Sequence, residues 1–488
     1  MYDKTKRPPI LPLEVKPEMR IQVLNEKDLE KIQEAAFTIL EERGVEFPSE
    51  KALKILAEGG ARVDFKRKVA KFPADWLQSV LARAPRSFVM ASRTDPELDL
   101  NLDGTKTYYG TDGVGVRTGD FTTRKERPSA KEDVAMMALI SDYLPCVSFY
   151  WPIVSAQNVK SETIPLHELE ASFSHTEKHI HIVSCVQEKA ARHCVDMARI
   201  VAGDSAAARR RPPLSLVACT RSPLCQDLGA IEAALVFAEA GLPVGFMAMP
   251  QICLTAPATM AGALVMGHAE VLSAVCLIQL AQPGAPVYYA LSAEMMNPFS
   301  GRALGGAMQK PLLNAGRVHI GHFNNLPVMA YYGSTSSKQI DWKAGKENAI
   351  DSLLLLLTGP ELFPTLGLLD EYTLLYPEKI LFDYEIFESL RIMTEGIDVS
   401  SETLAVDEIM DVGPGGHFFE RASTIRNLKR LWKPGIVHEW SHARSDFRNP
   451  HEVALEKCKW ILDNHRPRPL PEGVSEELRK VIQRAESE

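Results

Sequence analysis

Apolar side chains recur at two spacings along this chain, and the switch between them organises it. Leu29, Ile32, Ala35, Ala36 and Leu40 repeat at three- and four-residue intervals, which lines them up on one face of a helix. They predict a helix over 26–44, stopped by Gly44. A second is expected over 49–59, ending at Gly59-Gly60, and a third over 74–84. Residues 1–20 are polar and proline-rich and read as an extended arm.

Past residue 100 the pattern changes. Short runs rich in β-branched and aromatic residues occur at 107–112, 147–155, 179–186, 213–220, 243–249, 286–292, 327–333 and 362–369. Helix-like segments lie between them at 129–143, 188–202, 226–240, 259–281, 306–323 and 343–358. Many of the strands are almost continuously apolar, as strands of a parallel sheet covered on both faces must be. Alternating strand and helix gives βα units. Eight of them predict an α/β fold of the closed (β/α)8 TIM barrel kind. An open doubly wound sheet is the rival. It calls for a glycine-rich phosphate turn after its first strand, and Gly110 to Gly115 match that turn only loosely. Residues 378–410 read as helical, Asp411 to His417 as a sharp loop, and 423–488 as a charged helical tail. The expected division is a helical N-terminal region over 1–85, the barrel over 86–400, and a C-terminal helical extension over 401–488 packing on it.

Composition narrows the function. The chain has 488 residues, 45% apolar and 24% charged, with a net charge of -8. An acidic balance argues against a nucleic-acid partner, which needs a basic face. The run Arg209-Arg210-Arg211, followed by two prolines, reads as a solvated loop. Eight cysteines are scattered without a CxxC pair, which predicts a reducing compartment and no disulfide frame. No secretory h-region stands at the N-terminus. Thr259 to Ala281 is apolar but carries His268 and Glu270, so a buried helix is expected there, not a membrane span. The expected location is the cytoplasm.

In a barrel of this kind the chemistry sits at the C-terminal ends of the strands. Those ends carry Tyr108, Tyr109 and Asp112; Phe149, Tyr150 and Trp151; Ser184 and Gln187; Thr220, Arg221 and Ser222; Met249 and Gln251; Tyr288, Tyr289 and Glu294; Tyr331 and Tyr332; and Asp370 and Glu371. Aromatics gather there although they are only 7% of the chain. Ring faces attract cations, and aromatic cages hold quaternary ammonium groups; filling of the barrel and the strand–helix layer is the competing role for each ring. His179 and His181 alternate on one strand and face the same side. They read as buried hydrogen-bonding residues, with zinc ligation the alternative and no tightly bound metal expected. Gly413 to His417 reads as a rigid turn, with an anion-binding nest of backbone N–H groups as the other possibility. No GxSxG elbow, HExxH helix or P-loop is present.

Five segments carry a family resemblance: Gly110-Thr111-Asp112-Gly113, His175 to His179, Thr255 to Leu264, Gln282 to Tyr288, and Asp411 to His417. From about residue 25 to 470 the chain resembles the trimethylamine methyltransferase family in its broad sense, which includes betaine-using members without pyrrolysine. The resemblance implies a (β/α)8 barrel that moves a methyl group from a methylated amine to Co(I) of a corrinoid carried by a separate protein. The pyrrolysine position of the archaeal members falls near Ser334 to Ser337, where this chain has only standard residues. That departure points to a quaternary amine, with glycine betaine first and proline betaine, carnitine and γ-butyrobetaine as alternatives. The expected substrate-binding residues are Tyr109, Trp151, Arg221, Gln251, Tyr289, His322 and Tyr332, with Arg221 or His322 taking a betaine's carboxylate. A homo-oligomer without nucleic-acid or membrane partners is expected. Two rivals from other classes are a methyltransferase with a zinc-activated acceptor and a non-catalytic quaternary-amine binding protein.

Overall fold

Eight parallel strands pair in chain order, and the last returns to the first. In the computed structural model, which describes residues 9–121, 123–301, 303–304, 306–331, 335–431 and 448–488, these are β1 (Tyr108–Thr111), β2 (Phe149–Tyr150), β3 (His179–Ile182), β4 (Leu214–Arg221), β5 (Val244–Ala248), β6 (Val287–Leu291), β7 (Val328–Met329) and β8 (Leu362–Leu366). Leu362 of β8 lies opposite Tyr108 of β1, which closes the barrel. The closed barrel is therefore the fold, and the open sheet is excluded.

Helices of the N-terminal region come first: α1 (Glu26–Glu42), α2 (Glu50–Gly59) and α3 (Ala74–Leu81). Asn25 and Asp28 form a reciprocal capping box on α1, and Gly60, at φ 111°, turns the chain off α2 in a conformation suited to glycine. The barrel helices follow: α4 (Lys131–Tyr143), α5 (Ile164–His175), α6 (Glu188–Ala202), the short α7 (Ser205–Arg210), α8 (Leu228–Ala240), α9 (Met260–Ala281), α10 (Lys310–Phe323), α11 (Trp342–Leu356) and α12 (Lys379–Glu395). All three N-terminal helices pack on α9. That explains how a 22-residue helix this apolar is mostly buried inside the fold.

Two large apolar cores result, beside a small cluster of Ala344, Leu369 and Leu374. One fills the barrel: Tyr108, Phe149, Trp151, Val217, Met247, Tyr288, Ala290, Met329, Tyr331 and Leu362, floored at the N-terminal end by Met90, Leu98, Leu100 and Leu102. The other lies between strands and helices and includes Tyr109, Tyr150, Ile180, Val244, Tyr289 and Phe363. Successive residues of a strand face opposite ways, so each strand feeds both cores.

Helix α5 and the short α7 stand where the sequence pattern predicts neither. The basic run is not a loop. Arg209 and Arg210 end α7, Arg209 donates to the Glu239 carbonyl, and Arg211 grips Asp99 through two bonds. Past α12 the chain forms three further helices, α13 (Ser401–Leu404), α14 (Val406–Val412) and α15 (Ala422–Leu431). The turn from Gly413 to His417 joins the last two on the surface, where Arg421 pairs with Asp411 at 2.5 Å. The tail helices α16 (Pro450–Asn464) and α17 (Val474–Ser487) pack on α4 and α6.

Candidate functional site

Glycines let aromatic rings sit flat against the barrel wall. A Cβ on Gly245 would stand 1.9 Å from the Tyr288 ring, and one on Gly113 would stand 2.2 Å from the Trp151 indole nitrogen. Trp151 thereby lies over the end of β1, inside the barrel and 2% exposed. Its ring meets His181 edge-on at 4.9 Å and Tyr331 at 5.7 Å. Tyr372, from the loop after β8, comes 6.1 Å from Tyr331.

Tyr372 is held there by unusual backbone. Asp370, Glu371 and Tyr372 are all left-handed, at φ 49°, 54° and 62°. Non-glycine residues avoid this region, at a cost of roughly 1–2 kcal/mol each. The loop is tied to the loop after β7, where the Asp370 N–H donates to Ser337 and the Glu371 N–H to Thr335. Strain that persists is strain the surroundings enforce, and it gathers at functional sites.

Asp112, just past β1, is the charged member of this group. It is fully buried and its Oδ1 accepts the Gly113 N–H at 2.8 Å. Its Oδ2 makes no close hydrogen bond among the described residues, and the Tyr331 hydroxyl is a polar neighbour. Burial pushes its pKa up from 3.8 to about 7, against the Gly113 N–H and the neighbouring Tyr331 hydroxyl, which pull it down. A buried carboxylate of this kind gains from any cation placed beside it. His181 adds no competing charge, since burial lowers its pKa to about 3. Its Nδ1 and the Nε2 of His179 share the Ser215 hydroxyl at 2.9 and 2.8 Å, and His179 Nδ1 meets the Ala91 carbonyl at 3.0 Å. Both histidines thus serve as buried hydrogen-bonding residues.

A second polar group stands behind β7. Lys310 of α10 lies 3.5 Å from Glu294 of the loop after β6, and both are almost fully buried. Two turns along α10, Arg317 is completely enclosed and donates to the Leu291 carbonyl at the end of β6. Burial lowers its pKa to about 9, opposed by Glu294 and by Asp351 of α11.

The expected site residues divide between the two faces of the wall. Trp151 is inside. Tyr109 and Tyr289 are corrections: Tyr109 packs between Phe363 and Phe387, 4.7 and 5.1 Å away, and Tyr289 packs on His268 of α9 at 5.7 Å. Both belong to the strand–helix layer. Their neighbours Tyr108 and Tyr288 face inward. His322 is also elsewhere. It sits at the C-terminal end of α10, below the barrel, with Nε2 3.1 Å from Glu361, the residue before β8. Arg221 ends β4 on the rim with the parity of inward-facing Val217, and it is exposed. Gln251 lies above β5, where the segment Gln251–Ile252 pairs with Glu294–Met295. Tyr332 and Ser334 lie outside the described residues. Tyr372, Arg317, Asn314 and Asp351 were not anticipated. For the α10 pair a signal existed, because Leu313, Asn314, Arg317 and Ile320 share the buried face of one helix.

Comparison with known proteins agrees with this architecture. A family model described as trimethylamine methyltransferase (MTTB) matches residues 4–488. The trimethylamine methyltransferase MttB of Desulfitobacterium hafniense is 32% identical over 436 residues, covering 88% of this chain and 87% of its own length. A glycine betaine methyltransferase of Desulfitobacterium hafniense strain Y51 is 28% identical, covering 95% of this chain and 97% of its own. The crystal structure of the Methanosarcina barkeri monomethylamine methyltransferase (MtmB) covers 96% of this chain and 90% of its own with a TM-score of 0.50 and 12% identity, a likeness of fold alone.

Proposed function

We propose, from the premise that this chain belongs to the trimethylamine methyltransferase family, that it removes a methyl group from a quaternary amine and passes it to a corrinoid carried by a partner protein. Glycine betaine, giving dimethylglycine, is the substrate this reading puts first. The observation that carries it is Asp112: a fully buried carboxylate set among Trp151, Tyr331 and Tyr372. Rings and a buried anion together suit a cation that cannot donate hydrogen bonds.

The chemistry asks little more of the protein. The corrinoid supplies a strongly nucleophilic Co(I) as methyl acceptor. A quaternary ammonium leaves as a neutral tertiary amine, so no acid need protonate it. What remains for this chain is to strip water from the cation and hold one methyl group toward the mouth, which is catalysis by positioning. The rings of Trp151 and Tyr331 supply the walls, and neutral His181 supports Trp151 without repelling the substrate.

The corrinoid protein would dock over that mouth. Loops after β1, β3, β5 and β6 expose Val114, Val116, Val186, Met249, Leu254, Phe299 and Met308 there, an apolar rim that fits a protein-borne macrocycle. The same reading places the protein in the cytoplasm as a homo-oligomer. Incubation with glycine betaine and chemically reduced cobalamin should yield dimethylglycine, seen by proton NMR. Release of a demethylated product from proline betaine, carnitine or γ-butyrobetaine instead would reassign the substrate, and none from any quaternary amine would refute the reading.

A further inference from the structure

Arg317 is charge-balanced but incompletely bonded. It is 0% exposed, and one of its terminal nitrogens, Nη1, donates to the Leu291 carbonyl. Among the described residues its Nε and Nη2 make no hydrogen bond, and neither does Nδ2 of Asn314, one turn earlier on α10 and 1% exposed. Buried donors are nearly always matched, and three unmatched ones on adjacent turns of one helix are a set that an anion would satisfy. Nε and Nη2 are the edge by which a guanidinium takes both oxygens of a carboxylate.

The nearby acids leave that edge open. Glu294 and Asp351 stabilise the charge of Arg317 from a distance. Among the described residues Glu294 Oε2 makes no hydrogen bond, and it faces Lys310 at 3.5 Å. Tyr331 links this group to the cation site. Arg317 donates to the Leu291 carbonyl, and the hydroxyl of the next residue, Ser292, donates to the Tyr331 carbonyl at 3.5 Å. Tyr331 in turn neighbours Asp112 and Tyr372, and its ring is 5.7 Å from Trp151. The unmatched donors and the aromatic group around Asp112 therefore meet near one tyrosine.

We infer that Arg317 and Asn314 receive the carboxylate of a betaine whose trimethylammonium end lies against Trp151, Tyr331 and Asp112. The inference rests on the quaternary-amine reading and deepens it by naming the second pole of the substrate. It displaces the two anchors the sequence suggests. His322 stands at the opposite end of the barrel on Glu361, and Arg221 is exposed, where water competes for a carboxylate.

The test is calorimetry on the full chain with glycine betaine and with betaine amide, which keeps the cation and removes the negative charge. The wild type should bind glycine betaine at least tenfold more tightly. Arg317→Lys, which keeps charge but loses the fork, should weaken glycine betaine at least tenfold and change betaine amide less than twofold. Asn314→Asp, which keeps the guanidinium and sets a like charge beside the carboxylate, should do the same. Equal affinity of the wild type for both ligands would overturn the anchor while leaving the cation site standing, and this arm needs no variant to fold. So would selective loss of glycine betaine in Arg221→Ala with Arg317→Lys unaffected. Binding of neither ligand by the wild type would remove the quaternary-amine reading and the anchor with it.

Discussion

Asp112 is a carboxyl group shut among rings, and its protonation should be visible from outside. Its pKa is raised from 3.8 to about 7 by burial. Between those values the folded state keeps a proton that the unfolded chain has lost. Stability from this group is thus full below about pH 4 and is lost as pH rises toward about 7. Asp112→Asn should remove that share of the slope, so its thermal midpoint should fall less than the wild type's between pH 4 and pH 7. Identical slopes would mean that Asp112 is ionised in the fold. A bound cation favours the ionised form, so affinity for a quaternary amine should rise with pH through about 7 and lose that dependence in Asp112→Asn. Trp151→Ala should lower kcat/KM about a hundredfold while Trp151→Phe keeps most of it, as expected for a ring face that binds a cation. At this scale the sequence was legible only in part. It brought the right tyrosine pairs to the right strands, but a shift of one residue turns a strand side chain to the other face. In Tyr108-Tyr109 and Tyr288-Tyr289 two identical neighbours gave no way to choose between faces. Arg317 was hidden differently, because a charged residue on the apolar face of a helix looks like a solvated one until its neighbours are known.

At the scale of elements, buried glutamates on the outer helices fasten the loops that form the mouth. Glu168 of α5 accepts from Ser155 and the Ala156 N–H after β2, and from Ser184 after β3. Glu270 of α9 accepts from Thr220, Ser222 and the Leu224 N–H after β4. Glu347 of α11 accepts from Thr335 and the Ser336 N–H after β7. Each glutamate replaces water for several loop groups at once, which fixes loops that would otherwise be mobile. Glu270→Ala leaves those donors without an acceptor and should cost about 1–3 kcal/mol, read as a lower urea midpoint with faster amide exchange at Leu224. An unchanged midpoint would mean that water serves the loop equally well. The elements themselves were largely legible, because eight apolar strands and most helices announce their period. Helix α5 was not. Its buried face carries the polar Glu168 and Ser172 among Pro165, Leu166, Leu169, Ala171 and Phe173, which blurs the apolar period that would mark a helix.

Across the whole molecule, the segment after α12, with helices α13 and α14, carries an exposed apolar surface. Ile397, Val399, Val406, Ile409, Met410 and Phe419 are all more than half exposed, and α13 and α14 bury no residue of their own. Such a surface suits subunit contact. On the proposed homo-oligomer, Ile409→Lys with Met410→Lys should lower the sedimenting mass by at least half, and an unchanged mass would place the contact elsewhere. The barrel brings Asp112, Trp151, Tyr331 and Tyr372 together from distant stretches of chain, and on the proposed reading this set holds the methylated cation while Arg317 takes the carboxylate. The most direct measurement is the rate at which the purified protein consumes cob(I)alamin absorbance with glycine betaine and with trimethylamine in parallel. The account predicts loss of the Co(I) band with glycine betaine and none above background with trimethylamine. A band consumed with trimethylamine alone would contradict it.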